Sequence, residues 1–333
     1  MKYRRLGSSN LLVSELCLGT MMFGDQAGES ESMAMVAMAR ERGVNFIDTA
    51  DVYTTGASER LVGRAIAGDR DAWVLATKVG NRMSDRPNEG RYSRKWVVRA
   101  AEDSLKRLGT DYIDVYYLHR DFEDDALEEP LRALDDLIRA GKIRAFGVSN
   151  YRGWRIAEIA RLCDVVGMPR PVVCQPYYNL LNRMPEVEIL PACAHYGLGV
   201  APYSPIARGV LTGKYAPEAA PPQGTRAARG DKRIMETEWR RESLAIAQTL
   251  QAHALARGVT LLQFAVAWLL ANRVVSSVIA GPRTAAQLAD YFAAVDFAWS
   301  DDDERAVDGL VTPGHASTPG YNDPSYPFFG RRR

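Results

Sequence analysis

Short apolar runs alternate along the chain with longer segments in which apolar residues recur at helical spacing. Eight of the short runs are rich in β-branched, aromatic and leucine side chains, which favours strands. These predicted strands cover residues 16–21, 45–50, 73–79, 113–119, 143–150, 172–175, 199–204 and 275–280. Ahead of the first strand, the sequence Gly7-Ser8-Ser9-Asn10 predicts the turn of a hairpin.

Several of the helical segments begin with residues that favour a helix N-terminus. Ser58-Glu59 stands at the start of one segment and Ser93 at the start of another. Thr260, with Gln263 three residues later, fits a capping box. The acidic run at residues 301–304 predicts a first helical turn, where the helix dipole favours negative charge.

The alternation of strands and helices predicts an α/β fold with a parallel sheet whose strands are covered on both faces. Closing eight such strands gives a (β/α)8 TIM barrel, which is the predicted fold. A doubly wound open sheet is the alternative. That fold usually binds a dinucleotide through GxGxxG after its first strand, and residues 19–24 (GTMMFG) lack this spacing. We expect one oxidoreductase domain over residues 1–333, with an N-terminal hairpin and a C-terminal helix and tail.

Two stretches exceed an ordinary connection of ~2 to 6 residues. Residues 206–242, after the seventh strand, predict a long loop that acts as a functional lid or is a loose insertion. The tail at residues 312–333 is rich in proline and glycine but carries four aromatic residues. Such a tail docks on an apolar surface or simply covers the flank of the barrel. The four residues are Tyr321, Tyr326, Phe328 and Phe329.

Composition and charge narrow the class of protein further. With 47% hydrophobic and 25% charged residues the chain is typical of globular proteins, and a formal net charge of +1 gives no electrostatic case for nucleic acid or anionic membrane partners. No apolar run approaches the ~20 residues of a membrane span, and no secretory signal is expected. Four cysteines without zinc-type or CxxC spacing predict free thiols in a reducing cytoplasm and no metal site. The oligomeric state is left open.

Polar side chains recur where the predicted strands end. The carboxyl ends of barrel strands form one face, where barrel enzymes place their working groups. A single charged residue at such a position is more often a surface group, but six convergent strand ends indicate a site. The residues are Asp48, Lys78, His119, Ser149 with Asn150, Gln175, and Tyr203 with Ser204.

Three of these residues, together with Tyr53 just after the second strand, have a chemistry that suits carbonyl reduction. The phenol of Tyr53, with an ordinary pKa of ~10, becomes a useful proton donor and acceptor when a cation stabilises its anion. Lys78 is the candidate cation and Asp48 its counter-ion, while His119 orients a carbonyl oxygen or relays its proton. Residues 147–151 miss the GxSxG elbow and nothing matches HExxH, so a serine hydrolase or zinc protease is not indicated.

Asp48, Tyr53, Lys78 and His119, in this order and context, resemble the catalytic tetrad of the aldo-keto reductase superfamily. The resemblance covers residues 1–310 and is strongest to the branch with the potassium-channel β subunits and bacterial aldo/keto reductases. Its first signature is carried by residues 48–53 (DTADVY), Gly56, Ser58, Glu59 and Gly63. The resemblance implies reversible hydride transfer between a nicotinamide and a small carbonyl or alcohol substrate.

The same resemblance implies NADPH (NADP⁺) bound in an extended pose across the barrel mouth without a Rossmann motif, with NAD as an open alternative. Ser149, Asn150 and Gln175 correspond to residues that hold the nicotinamide carboxamide, and Tyr203 to the aromatic that stacks on the ring. The complete implied contact set is Gly19, Thr20, Met21, Asp48, Ser149, Asn150, Gln175, Tyr203, Ser204, Pro205, Ile206, Arg208, Gly209, Lys214, Gly281, Arg283, Gln287 and Asp290.

Two segments are implied to hold the phosphates and the adenine. Residues 203–215 resemble the pyrophosphate-binding loop of the branch, although their glycine spacing does not make a Walker A loop. Arg283 is expected to clamp the 2′-phosphate, while Gln287 and Asp290 reach the adenine. Residues 284–287 (TAAQ) also fit a capping box, which needs no ligand. Tyr291 replaces the family's asparagine, so the preference for NADP over NAD stays open.

Substrate identity and biological role are not fixed by these patterns. Specificity is expected in loops over the barrel mouth, at residues 22–28, 82–92 and 119–124, in the long loop and in the tail. Two interpretations are open for three arginines in the second of these loops: they bind an anionic substrate, or they are ordinary solvated charges. The residues are Arg82, Arg86 and Arg91. Two other functions remain open: a cofactor-binding, redox-sensing regulatory subunit and an NAD-dependent sugar or polyol dehydrogenase.

Overall fold

The strands form an N-terminal hairpin and one larger sheet in the computed structural model, which describes residues 1–122 and 124–326. The hairpin pairs β1 (Tyr3–Arg5) with β2 (Leu12–Ser14) in antiparallel register, as Gly7-Ser8-Ser9-Asn10 predicts. The sheet has eight parallel strands in the order β10-β3-β4-β5-β6-β7-β8-β9. They are β3 (Leu16–Gly19), β4 (Phe46–Asp48), β5 (Val74–Val79), β6 (Ile113–Leu118), β7 (Ile143–Ser149), β8 (Val173–Gln175), β9 (Gly199–Val200) and β10 (Val278–Ala280).

The two outer strands of that sheet, β9 and β10, are joined to each other. Val200 N donates to Val274 O at 3.0 Å, and Ser276 N donates to Val200 O at 2.8 Å. A little further on, Ile279 N donates to Pro202 O at 3.1 Å. These hydrogen bonds close the sheet, so the predicted (β/α)8 barrel is confirmed and the open doubly wound sheet is excluded.

The last two strands are shorter than the sequence predicts. The run 199–204 is a strand only at Gly199–Val200, and the run 275–280 only at Val278–Ala280. Pro202 and Pro205 have no backbone N–H to donate, which interrupts the regular ladder after β9. Single bonds continue beyond it, such as Tyr203 N to Pro176 O at 3.0 Å. The barrel is therefore closed by single hydrogen bonds at this seam and by regular ladders elsewhere.

Eleven α-helices lie in the described residues, and most of them pack around the outside of the barrel. Ser93 and the capping box of Thr260 and Gln263 cap their helices as predicted. Ser58 is not a cap, because its helix already begins at Ala57. The helices are α1 (Glu29–Glu41), α2 (Ala57–Ile66), α3 (Arg94–Leu108), α4 (Glu128–Arg139), α5 (Gly153–Val166), α6 (Ile189–Tyr196), α7 (Lys232–Thr237), α8 (Arg241–Ala256), α9 (Leu261–Ala271), α10 (Ala285–Phe292) and α11 (Asp301–Asp308).

The core is divided into two layers by the alternation of side chains along each strand. Residues on one face of the strands pack against the helices, whereas Phe46, Ala76 and Tyr117 belong to a separate cluster inside the barrel. Leu6 and Val13 of the hairpin are fully buried in the same inner cluster. The hairpin therefore packs into the barrel from the end opposite to the carboxyl ends of the strands.

The segment 206–242 is not the structureless loop that its length predicts. It contains a 3-10 turn at Ala207–Thr212, the short helix α7 and the first residues of α8. The described part of the tail packs on this segment: Arg233 forms an ion pair with Asp323 at 2.7 Å, and the Arg240 guanidinium lies 3.7 Å from the centroid of the Tyr321 ring. Phe328 and Phe329 lie outside the described residues.

Among the described helices, none is by itself both long and apolar enough to cross a membrane. Only α8 and α9 taken together reach that length and composition, and they are bent by 89° relative to each other.

Candidate active site

The strand alternation brings two of the predicted catalytic residues into the barrel mouth. Asp48 stands two residues after Phe46, and Lys78 two residues after Ala76, so each pair lies on the inner face of its strand. His119 follows β6 directly, and its backbone N donates to Val79 O at 2.9 Å. Three strand ends that are adjacent in the sheet thus carry an acid, an amine and an imidazole.

Tyr53 reaches the same point from the turn after β4. Its backbone N donates to Ala50 O at 3.1 Å, which starts the 3-10 turn Tyr53–Gly56. Thr54 and Thr55 in that turn have φ of 47° and 49°, in the left-handed region that β-branched residues rarely adopt. Such backbone strain costs on the order of 1–3 kcal/mol per residue and is typical of functional sites.

The Lys78 ammonium is the centre of the tetrad. Its Nζ donates to Asp48 Oδ2 at 2.6 Å, to Thr49 O at 2.8 Å and to the Tyr53 hydroxyl oxygen at 3.1 Å. The lysine side chain has no exposed surface. All three hydrogens of the ammonium therefore have acceptors, and its orientation is fixed.

Burial and neighbouring charges act in opposite directions on the pKa values of Lys78 and Tyr53. Burial lowers the pKa of Lys78, but the attraction of Asp48 and Tyr53 outweighs it, so the pKa lies above its ordinary value. Burial raises the pKa of Tyr53, and the nearby Lys78 offsets this only in part. Without a bound ligand, the ammonium is thus charged and the phenol is protonated near neutral pH.

His119 is held as a neutral imidazole. Burial, followed by the charges of Lys78 and Arg120, holds its pKa well below the ordinary value of 6.5. The ring lies 5.9 Å from the Tyr53 ring, in an edge-to-face arrangement. A neutral ring in this position can donate a hydrogen bond to a carbonyl oxygen without carrying a charge of its own.

A cavity of about 610 Å³ opens beside these residues at the carboxyl ends of the strands. Asp48, Tyr53 and His119 line it, and Lys78 lies behind them. Each of the 18 predicted cofactor residues also lines this one cavity: Gly19, Thr20, Met21, Asp48, Ser149, Asn150, Gln175, Tyr203, Ser204, Pro205, Ile206, Arg208, Gly209, Lys214, Gly281, Arg283, Gln287 and Asp290. The structure therefore brings together the predicted catalytic and cofactor-binding residues, while their individual roles stay predictions.

The predicted nicotinamide end of the cavity is a hydrogen-bonded network. Gln175 Nε2 donates to Asp48 Oδ1 at 3.0 Å, and the Tyr203 hydroxyl donates to Asn150 Oδ1 at 2.7 Å. Asn150 Nδ2 donates to Ser149 Oγ at 3.0 Å. Amide and hydroxyl groups of this kind complement the donor and acceptor of a carboxamide.

The other end of the cavity is strongly cationic. Burial and the neighbouring charges of Arg283, Arg226 and Arg229 lower the pKa of Lys214. The backbone here is unusual as well, because Gly209 has φ of 100° and a Cβ at this position would lie 3.0 Å from Lys214 Nζ. Several cations in mutual repulsion are stabilised by an anion, so this end fits an anionic group such as a pyrophosphate.

The N-terminus of α10 already has partners within the protein. Thr284 Oγ1 accepts a hydrogen bond from Gln287 N at 3.2 Å, but Gln287 Oε1 accepts from Arg283 N at 3.0 Å and not from Thr284 N. The predicted capping box is therefore only half formed. In addition, Glu31 accepts a hydrogen bond from Ala285 N, so a carboxylate occupies one of the donors expected to attract phosphate.

Several lining residues were missed by the sequence analysis. Arg226, Arg229 and Arg233 come from the long segment, where a concentration of arginines was the available signal. Arg120, directly after His119, and Tyr326 of the tail also line the cavity. Arg82, Arg86 and Arg91, the predicted candidates for an anionic substrate, do not line it. Each of them lies within 4.0 Å of a carboxylate on the protein surface.

Within residues 1–122 and 124–326, no group of three or more histidine, cysteine, aspartate or glutamate side chains is arranged to hold a metal ion.

A barrel with these four side chains at or behind the wall of one large cavity fits an oxidoreductase. The sequence profile of the Aldo/keto reductase family matches residues 15–312, and the chain belongs to that family. It is 38% identical over 306 residues to a probable voltage-gated potassium channel subunit β of Oryza sativa subsp. japonica, covering 89% of this chain and 92% of that protein. It is 35% identical to an uncharacterized oxidoreductase of Bacillus subtilis (96% and 98% covered) and 33% identical to the versiconal hemiacetal acetate reductase of Aspergillus parasiticus (82% and 86% covered).

Proposed function

We propose that the protein reduces an aldehyde or ketone, with NADPH as the hydride donor and Tyr53 as the general acid. The observation that carries this proposal is the contact of the Lys78 ammonium with both Asp48 and the Tyr53 hydroxyl, at the edge of a cavity that extends to a cationic end. The names of the reductase and oxidoreductase relatives also support it.

In this proposal the protein's own groups hold the carbonyl and move one proton. The Tyr53 hydroxyl donates its proton to the carbonyl oxygen as negative charge develops there. Lys78 stabilises the resulting phenolate, and Asp48 keeps the ammonium in place. Neutral His119 donates a hydrogen bond to the same oxygen. In the reverse direction, the Tyr53 phenolate accepts the proton of an alcohol.

The preference for NADPH rests on the charges at the cationic end of the cavity. Lys214, Arg226, Arg229 and Arg283 lie there together, which is more positive charge than the two charges of a pyrophosphate require. Glu31 at the α10 N-terminus counts against a second phosphate at that point, so Arg283 is the residue proposed to hold it. NAD remains the alternative cofactor.

The role of Tyr53 is tested by the Tyr53→Phe variant. Turnover of a broad carbonyl panel with NADPH should fall by about 10²- to 10⁴-fold, which is the usual contribution of general acid catalysis. NADPH binding, followed by fluorescence titration, should stay near the wild-type value. Tyr196→Phe, on α6 and away from the cavity, is the matched control. Wild-type turnover by Tyr53→Phe would refute the assignment.

A second function is supported by the similarity to a plant protein named as a probable channel β subunit. In that case the protein binds the cofactor as a redox sensor and contacts a partner protein. A stoichiometric partner in pull-downs, together with no turnover on the carbonyl panel, would favour this function over carbonyl reduction. Turnover of the panel without a partner would favour the enzyme.

We place the protein in the reducing cytoplasm, as one catalytic domain over residues 1–333. Supporting this, Cys17, Cys163, Cys174 and Cys193 are all buried and unpaired in the structure. Such thiols persist where disulfides do not form.

A further inference from the structure

Arg120 is the cation nearest in sequence to the catalytic residues, and the described part of the chain gives its charge no carboxylate. It follows His119 directly, is half-buried and lines the cavity. Its Nε is buried and has no hydrogen-bond partner among the described residues. A buried donor of this kind costs about 1–3 kcal/mol when unsatisfied, and more when charged. A ligand that accepts from it would remove that cost.

Two aromatic rings flank the Arg120 guanidinium without neutralising it. The guanidinium carbon lies 5.3 Å from the centroid of the Phe122 ring and 5.7 Å from that of the Tyr326 ring. Contacts of this type orient a guanidinium and leave its N–H groups free for an in-plane acceptor. Tyr326 also lines the cavity, so the orientation is set at the cavity wall.

The nearby carboxylates are already used by other arginines. Asp121, the next residue in the chain, pairs with Arg155 at 3.0 Å, and both side chains are buried. Asp124 and Asp125 pair with Arg91 at 3.2 and 2.6 Å. Among the described residues, these carboxylates thus form ion pairs with Arg91 and Arg155 and none with Arg120.

Arg120 is also separate from the cations proposed for the cofactor. Lys214 interacts electrostatically with Arg283, Arg226 and Arg229, whereas the charge of Arg120 acts on His119 and Tyr326. Arg233 and Arg208 lie between these two ends, because Arg233 also acts on Tyr326 and Arg208 interacts with both Arg233 and Arg226. Arg120 is the member of this series beside the catalytic imidazole, where the substrate, and not the phosphates, would be.

We propose that Arg120 binds a carboxylate on the substrate, so that the preferred substrates are carbonyl compounds that also carry an acidic group. This inference rests on the proposed carbonyl reduction. Arg120 and His119 are neighbours in the chain, so the carboxylate and the reacting carbonyl belong to one small molecule, such as a short oxo acid or a formylbenzoate. The planar guanidinium offers two parallel N–H groups to a carboxylate, which an ester cannot accept with equal strength.

The test compares acids with their neutral esters on the NADPH-loaded protein. The pairs are 4-formylbenzoate with methyl 4-formylbenzoate, and 4-oxobutanoate with methyl 4-oxobutanoate. The measured quantity is the ratio of kcat/KM for acid to ester. We expect the wild type to favour the acids, and Arg120→Gln to reduce the ratio by about tenfold or more, as loss of a charged hydrogen bond does.

Two further variants separate charge from geometry. Arg120→Lys keeps the charge but loses the two parallel N–H groups of the guanidinium. Its acid-to-ester ratio of kcat/KM should therefore lie between those of the wild type and Arg120→Gln. Arg82→Gln removes a surface arginine that does not line the cavity and should leave the ratio at the wild-type value. Circular dichroism and NADPH affinity show whether each variant is folded. An Arg120→Gln ratio equal to that of the wild type overturns the inference.

A binding measurement keeps this inference separate from the proposed function. If the wild type reduces none of the carbonyls, carbonyl reduction fails, and benzoate binding to the NADP⁺-loaded protein is then measured by calorimetry. Benzoate affinity that weakens about tenfold or more in Arg120→Gln supports the anion site. No benzoate binding by the wild type, or equal affinity in the variant, overturns it.

Discussion

The Lys78 ammonium lies 3.1 Å from the Tyr53 hydroxyl oxygen, yet the pKa of that phenol is above its ordinary value. Burial raises the pKa by more than the ammonium lowers it. The lysine therefore does not make Tyr53 acidic in absolute terms. It limits the effect of burial, and the phenol stays protonated and ready to donate near neutral pH.

This balance between burial and the lysine charge predicts how the rates of carbonyl reduction and of alcohol oxidation depend on pH. Reduction needs the phenol, so its rate should be flat through neutral pH and fall only above the raised pKa of Tyr53. Alcohol oxidation needs the phenolate, so its rate should rise with pH. In Lys78→Met the phenolate loses its nearest cation, and the alkaline inflection of oxidation should move to higher pH while reduction slows by about 10²-fold or more. Steady-state pH profiles measure both.

Lys78→Met leaves the Asp48 charge buried without its partner, which by itself can destabilise the fold. The double variant Lys78→Met with Asp48→Asn removes both charges and should show the same direction of shift. Lys106→Met, at an exposed position on α3, is the control. An inflection that stays in place or moves to lower pH contradicts the role of Lys78.

Arg283 is expected to discriminate between the two cofactors. Arg283→Ala should raise the Kd of NADPH by about 10- to 100-fold, the usual effect of losing a charge-assisted contact, and that of NADH by much less. Fluorescence titration with both cofactors measures the two constants. Arg273→Ala, at an exposed position between α9 and β10, should change neither. Equal losses for NADPH and NADH would remove the 2′-phosphate role.

Asp303 is expected to stabilise the C-terminal part of the barrel in a pH-dependent way. It forms a capping box with Ser300, and its Oδ1 lies 2.8 Å from His253 Nε2 and 3.1 Å from Arg257 Nε. Burial raises the pKa of this carboxyl group, but the hydrogen bonds from Ser300 and His253 outweigh it, so the pKa is lowered. Asp303→Asn should therefore lower the free energy of unfolding near neutral pH by about 1 kcal/mol or more.

The direction of the Asp303 pKa shift determines how this difference in the free energy of unfolding changes with pH. The folded pKa of Asp303 is below the unfolded value of about 3.9, so the stabilisation is complete above that value and is lost as the pH falls through the folded pKa. Urea unfolding of wild type and Asp303→Asn at several pH values measures it. Asp302→Asn, on the exposed side of α11, is the control. A difference that does not change with pH would argue against the charged carboxylate.

Much of the fold follows from local patterns in the sequence. Eight apolar runs separated by helical segments leave few closures other than a barrel, and the inward positions of Asp48 and Lys78 follow from the two-residue period of their strands. The exact ends of the strands are less predictable than their number and order. The seam between β9 and β10 depends on which backbone groups meet across it, and that is a property of the closed barrel.

The site was predictable where its residues stand at strand ends and less so where they come from distant segments. Arg120 follows the predicted catalytic residue His119 directly, so its place at the barrel mouth is predictable from that neighbour. Tyr326 could not be placed, because its location depends on the ion pair of Asp323 with Arg233, which are far apart in sequence. The direction of the Tyr53 pKa shift could not be predicted from the sequence either, because it depends on how deeply the phenol is buried.

The hairpin that packs Leu6 and Val13 into the lower end of the barrel also restricts how protons reach Lys78. With that end filled and the lysine without exposed surface, solvent approaches the amine from the cavity side, where Tyr53 and Asp48 stand. A ligand that fills the cavity would cover this side as well. The hydrogens of the ammonium would then exchange with water by way of Tyr53 or Asp48, their hydrogen-bond partners.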